Sequence, residues 1–202
     1  MKTELIKVLF GLTNCYVISD EQSGDCAVID PGGNAETIEK YMDENRLSLK
    51  YILLTHGHFD HTGAVSALRE KYPECAVYLN DADQIISDDK KLRHLFPAAE
   101  NTLNACEGTV IHLGEIEIRV METPGHSKGS VCYIAENCIF SGDTLFASAI
   151  GRTDFFGGSE EELRRSLKSL FALEGNYAVF PGHMGTTELE TERGNNPLFS
   201  KQ

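Results

Sequence analysis

Short runs in which nearly every residue is apolar alternate along the chain with segments whose apolar residues recur every third or fourth position. Residues 4–10, 14–20 and 25–30 read as strands, and the third ends in Pro31-Gly32-Gly33, a turn signal. Asn34 stands where a helix N-cap is expected, and Ile38, Tyr41 and Met42 keep helical spacing over 35–45. Residues 51–54, Tyr-Ile-Leu-Leu, then predict a buried strand and complete a strand, helix, strand unit. A second helix is expected over 64–72, stopped before Pro73, and another strand over 76–80. Residues 81–106 carry no clear period. Beyond them the pattern predicts strands at about 108–113, 115–122, 130–135 and 137–141, a helix over 159–171, a strand over 177–180 and a short helix around 187–193. Two β-then-α halves of this kind predict a layered α/β fold, two packed sheets with helices outside. No repeat at a solenoid period is visible.

Composition narrows the class. The 202 residues are 41% hydrophobic and 24% charged, which describes a globular chain and excludes disulfide-stapled miniproteins and disordered tails. A single domain over 1–202 is expected. The formal charge, 18 − 31 = −13, opposes a phosphate backbone, and no Lys/Arg cluster offsets it, so no nucleic-acid partner is expected. No stretch approaches the ~18 consecutive apolar residues of a membrane span, and no leader is evident, so the expected location is cytoplasmic without a membrane partner. The six cysteines form no CxxC pair, and several sit inside strand-like runs; they read as unpaired small hydrophobes.

The chemistry is concentrated at strand ends. Thr55-His56-Gly57-His58-Phe59-Asp60-His61 places four metal-ligating side chains within six residues, between a buried strand and a helix. Gly57 permits a tight turn between two imidazoles, and a rigid strand end presents them reproducibly. His56 and His58 share one side of an extended segment while Asp60 and His61 can point elsewhere, so one motif can serve two ions. His126 in Thr-Pro-Gly-His, Asp143 in Ser-Gly-Asp-Thr and His183 in Phe-Pro-Gly-His follow apolar strands through glycine turns. Five of the seven histidines thus lie where strands exit into loops.

The ordered set HxHxDH, His, Asp, His resembles the metallo-β-lactamase fold superfamily over essentially the whole chain. The phrases at 27–33 (AVIDPGG), 123–130 (TPGHSKGS), 140–146 (FSGDTLF) and 151–155 (GRTDF) narrow the likeness to glyoxalase II, the hydroxyacylglutathione hydrolases, and to their short bacterial members without the C-terminal helical domain. The resemblance implies a four-layered αββα sandwich of the α/β class. It implies a first metal on His56, His58 and His126, a second on Asp60, His61 and His183, and Asp143 bridging both. It also matches Asp30 to an aspartate that orients a ligand or metal-bound water; the residues alone leave open whether Asp30 caps the Pro31-Gly32 turn instead. Arg152 stands where these enzymes carry a basic residue against glutathione. A brace to Asp154 is the equal alternative.

Such a pair of divalent ions, zinc first with iron and manganese as alternatives, would lower the pKa of a bound water toward ~7 and polarise a carbonyl. The expected activity is hydrolysis of a small-molecule thioester of the hydroxyacyl-glutathione type by attack of a metal-bound hydroxide, with Asp60 able to shuttle a proton. A thiol leaves as thiolate at a pKa near ~8.5, whereas an amine must be protonated, so a thioester asks least of the site. The alternatives are a mononuclear iron oxygenase of the persulfide dioxygenase type and a binding module with lost ligands, although no ligand is missing. His94 and His112 match no ligand position, Ser159 followed by three glutamates reads as a helix cap, Lys128 as a solvated loop residue, and Glu192-Arg193 with residues 196–199 as a closure of the fold. Phe146, Phe155 and Phe156 read as core before entrance. The oligomeric state is left open.

Overall fold

The computed structural model describes residues 1–9, 12–88 and 101–196. Its first sheet runs β1 (Lys2–Val8), β2 (Thr13–Ser19), β3 (Asp25–Ile29), β4 (Ser48–Leu53), β5 (Ala76–Leu79) and β6 (Leu103–Asn104) in that spatial order. The second, from one edge to the other, is β14 (Thr187–Glu188), β13 (Ala178–Pro181), β10 (Cys138–Gly142), β9 (Val131–Ala135), β8 (Ile116–Glu122) and β7 (Val110–Leu113). A short hairpin, β11 (Leu145–Phe146) with β12 (Ala149–Ile150), stands apart. The helices are α1 (Ala35–Asn45), α2 (Phe59–Thr62), α3 (Val65–Lys71), α4 (Asp81–Asp88), α5 (Glu160–Phe171) and α6 (Leu189–Asn195).

The uninterrupted apolar strands have a simple cause: both faces of each sheet are covered. Side chains alternate along a strand, so Tyr16, Ile18, Ala27 and Ile29 meet Ile118, Val120, Tyr133 and Phe140 between the sheets. Their neighbours Cys15, Val17, Cys26 and Val28 turn outward onto Ile38 and Met42 of α1 and Val65 and Leu68 of α3. On the far side Cys132, Ile134 and Ile139 receive Leu163, Leu167 and Leu170 of α5 and Leu189 of α6. Helix, sheet, sheet, helix is the four-layered αββα sandwich. All six cysteines are free, and four are buried in these layers. No helix among the described residues is long and apolar enough to cross a membrane.

Several expectations are refined. The strand expected at 4–10 is Lys2–Val8, and the one expected at 25–30 stops before Asp30; each ends where a residue turns left-handed, Leu9 at φ 49° and Asp30 at φ 52°. Asn34 precedes α1 but makes no side-chain cap; its Oδ1 accepts from Leu9 N at 2.9 Å, which ties the end of β1 to the helix start. Ser159 does cap α5, accepting from Glu162 N at 3.3 Å. Glu192 and Arg193 close the fold: Glu192 is buried and receives Ser148 N, Thr187 Oγ1 and Asn196 Nδ2, while Arg193 donates to the carbonyls of Phe171 and Gly175. His112 is exposed. His94 and residues 197–199 lie outside the described residues.

The carboxyl ends of β4, β8, β10 and β13 meet at one edge of the sandwich, where α/β folds collect their ligands. Cross-sheet bonds fix that edge: Tyr133 Oη donates to Leu54 O at 3.0 Å, Val131 N to Thr55 O at 2.8 Å and Asn14 Nδ2 to Pro181 O at 2.7 Å.

Candidate metal centre

All seven predicted ligands arrive at this edge. His56 and His58 leave β4, Asp60 and His61 lie in α2, His126 sits between β8 and β9, Asp143 follows β10 and His183 follows β13. Their donor atoms form three overlapping groups, His56–His58–His126, His56–His61–Asp143 and Asp60–His61–His183, in each of which the atoms lie within 4.8 Å of one another. Asp143 reaches both outer groups: its Oδ2 is 3.5 Å from His126 Nε2 and 3.4 Å from His183 Nε2, and its Oδ1 is 3.5 Å from His61 Nε2.

The buried polar atoms say what this cluster is built for. His56 Nε2, His61 Nε2 and Asp143 Oδ1 are buried without a hydrogen-bond partner, a costly state unless another group fills the space between them. The opposite ring nitrogens are all engaged. His56 Nδ1 lies 3.1 Å from Thr55 Oγ1, whose hydroxyl donates to Asp30 Oδ2 at 2.7 Å. His61 Nδ1 lies 2.9 Å from the same Asp30 oxygen, His126 Nδ1 2.7 Å from Arg152 O and His183 Nδ1 2.7 Å from Leu12 O. Each Nδ1–H is thus spoken for, so each Nε2 is the nitrogen that turns inward, and a cation that displaces any proton it carries meets the lone pair that metal-bound imidazoles supply. His58 presents Nδ1 instead, 2.9 Å from His126 Nε2. The residues fit two divalent ions.

Charge is partitioned accordingly. Burial, with His126 beside it, pushes His58 down to about 3, and burial with the neighbouring imidazoles drives His56 in the same direction. Burial also opposes a proton on His61, but Asp30, Asp143 and Asp60 outweigh it and raise His61 to about 9. His183 behaves likewise against burial, its bonds to Asp143 and Asp60 lifting it to about 11. For the two aspartates burial acts upward, yet His183 and His61 hold Asp60 and Asp143 below the usual carboxylate range. Near neutral pH the metal-free centre therefore holds its protons on His61 and His183, and a cation that takes those nitrogens must expel them. Loading zinc in weak buffer at pH 7.5 should release about two protons per chain, and metal affinity should rise with pH until it passes the values of these two groups. Titration with a pH indicator checks this; uptake without proton release would contradict it.

Four supports were not read from the sequence. Thr55 relays Asp30 to His56, and its place directly before the HxHxDH motif was the available signal. Asp83 in α4 is fully buried and accepts from Gly57 N at 2.8 Å, Ser127 Oγ at 2.8 Å and Gly129 N at 2.7 Å, tying the loop of His56 and His58 to that of His126. It lies in the stretch without a period, so nothing marked it. The Leu12 and Arg152 carbonyls leave no side-chain signature at all. Both Asp30 carboxylate oxygens are engaged by Thr55 and His61, which the side chain orients, while its backbone carbonyl accepts from Gly32 N at 2.8 Å in the turn.

A cavity of about 370 Å³ opens over the cluster, and Phe59, Phe146, Arg152, Phe155 and Phe156 line it beside the ligands. Phe155 and Phe156 are exposed at this mouth, which corrects the expectation that they are core; Phe146 is buried but reaches the cavity. Arg152 makes a two-pronged bond to Asp154 at 2.9 and 2.7 Å and lies over the Phe155 ring at 4.5 Å. Lys128 is exposed.

Comparison with known proteins agrees with this geometry. A family model described as the metallo-beta-lactamase superfamily matches residues 8–183. The chain is 37% identical over 195 residues to "Probable metallo-hydrolase YqgX" of Bacillus subtilis, covering 92% of this chain and 90% of the relative. It is 32% identical over 212 residues to hydroxyacylglutathione hydrolase GloC of Haemophilus influenzae, covering all of both. Among solved structures, TTHA1623 in a di-iron-bound form superposes with a TM-score of 0.81 at 30% identity, over 98% of this chain and all of that one.

Proposed function

The chain belongs to the metallo-beta-lactamase superfamily, and from that membership we propose that it is a dinuclear metallo-hydrolase that cleaves thioesters of the hydroxyacyl-glutathione type. The observation that carries the proposal is the set of buried, partnerless nitrogens and carboxylate oxygen that face one another beneath an open cavity. His56, His58 and His126 would hold the first ion, Asp60, His61 and His183 the second, with Asp143 between them. Zinc is the proposed metal. When bound, the pair supplies a nucleophile from water at neutral pH and charge stabilisation for the carbonyl oxygen.

The remaining chemistry belongs to the chain. Asp30 and Thr55 lock two imidazoles in one tautomer, and the Arg152 and Leu12 carbonyls lock two more, so no reorganisation is needed as charge develops. Asp60 lines the cavity and is partly open to solvent. Its low pKa makes it a weak base and leaves it no proton to give. A leaving group that departs as an anion suits such a site, which favours a thiolate over an amine.

Arg152 is the proposed grip on the carrier. Both members of its pair with Asp154 are two-thirds exposed, so water screens the pair and Asp154 can be exchanged for a substrate carboxylate at little cost. Arg152→Ala should therefore raise KM several-fold for glutathione thioesters and leave it unchanged for an uncharged thiol; steady-state kinetics with both decides. For the function itself, the zinc-loaded protein is assayed against a thioester, a lactone and a persulfide. Thioester turnover well above the other two is expected. Persulfide oxidation by an iron-loaded form without thioester turnover would overturn the reading.

A further inference from the structure

Three phenylalanines of this chain sit in water around one opening. Among the described residues Phe59, Phe155 and Phe156 are the phenylalanines more than a third exposed, at 53%, 40% and 56%, and all three line the cavity over the ligand cluster. They come from two separate segments, Phe59 from the start of α2 and Phe155-Phe156 from the loop after Gly151. An exposed ring forfeits burial that a polar residue would not need, so a wall of three at one mouth signals a partner surface. That apolar surface begins next to the reacting centre: the Phe155 ring lies 5.5 Å from the His58 ring and 6.0 Å from the His126 ring, centroid to centroid. Phe146 continues it toward the other ligands, 6.1 Å from the His183 ring. Apart from the ligands, the one polar side chain lining the cavity is Arg152, already neutralised by Asp154.

We propose that this aromatic wall is a subsite for the acyl side of the substrate and selects thioesters whose 2-hydroxyacyl group carries an aromatic or other large apolar substituent over those with a methyl. The inference rests on the thioester reading above: Arg152, which lies over the Phe155 ring at the edge of the wall, takes the carrier, and the apolar surface beyond it is left to the acyl group. Ring-on-ring contact and the displacement of water from carbon supply the preference.

The test uses the zinc-loaded full chain with mandeloyl and lactoyl thioesters, which differ by a phenyl in place of a methyl, each on glutathione and on the uncharged thiol N-acetylcysteamine. The mandeloyl compounds should have a kcat/KM about tenfold higher or more on both carriers. Phe155→Ala and Phe59→Ala should each bring the mandeloyl-to-lactoyl ratio toward one. A second readout needs no metal: non-hydrolysable thioether analogues of the two glutathione substrates, titrated into metal-free protein, should bind with the same order and lose it in the same variants. A ratio near one in the wild type, or an unchanged ratio in both variants, overturns the subsite. So does a preference that follows the thiol and not the acyl group, or variants that alter only the oligomeric state. If no thioester is hydrolysed but the thioether preference persists, the proposed function fails and the subsite stands.

Discussion

His58→Ala should reduce thioester hydrolysis by about a thousandfold or more while the chain still folds. The imidazole is held between His126 and Phe155, and its Nδ1 is one of three donors in the first ligand group. Losing the ion there removes several kcal/mol of charge stabilisation from the transition state, and each ~1.4 kcal/mol is tenfold in rate. His58 belongs to none of the three apolar clusters that hold the layers together. Burial, which pushes its pKa down to about 3, keeps the ring neutral near pH 7, so its removal takes away no buried charge. Thermal unfolding of metal-free wild type and variant should therefore agree closely, and kinetics after zinc loading should not. Comparable turnover would remove His58 from the centre.

Gly151→Ala should impair both stability and activity although it adds a single methyl group. A Cβ at residue 151 would come within 1.7 Å of the Asp143 carbonyl oxygen and 3.3 Å of His126 Cβ. Neither neighbour is the free end of a flexible side chain, so backbone must move. The segment that moves carries the Arg152 carbonyl that fixes His126. Overpacking of this kind costs about 1–3 kcal/mol, which for a chain of this size lowers Tm by roughly 2–12 °C. Displacing ligands by about 1 Å can cost about a hundredfold in rate. Gly185→Ala is the control: a Cβ there meets nothing within 4 Å, and it should leave Tm within a degree or so. Equal behaviour of the two variants would show that the approach of Gly151 to Asp143 does not position the site.

The site was more legible than its supports, for a physical reason. A metal ligand must be one of a few residue types and must leave a rigid element, so HxHxDH after the apolar run at 51–54, and three Gly-His or Gly-Asp turns after other strands, announce themselves. The layers were legible as well, because strands covered on both faces lose their alternating polar positions, as residues 15–18 do within the fully buried strand Thr13–Ser19. What a backbone carbonyl does leaves no trace: Leu12 and Arg152 fix two imidazoles through atoms that every residue has. Asp83 was hidden by its context, a carboxylate among other polar residues whose burial depends on loops distant in sequence. The small strands β6, β11, β12 and β14 were missed because two residues carry no period. Whether Arg152 grips or braces was left open, and the structure shows it in the cavity wall and paired with Asp154 together.

The most direct test is to count ions. Full-length protein stripped of metal, equilibrated with zinc and weighed by mass spectrometry under non-denaturing conditions should carry two ions per chain, and His58→Ala one. A wild-type chain that binds one ion or none, or a variant that keeps two, would contradict the paired centre built from these seven side chains.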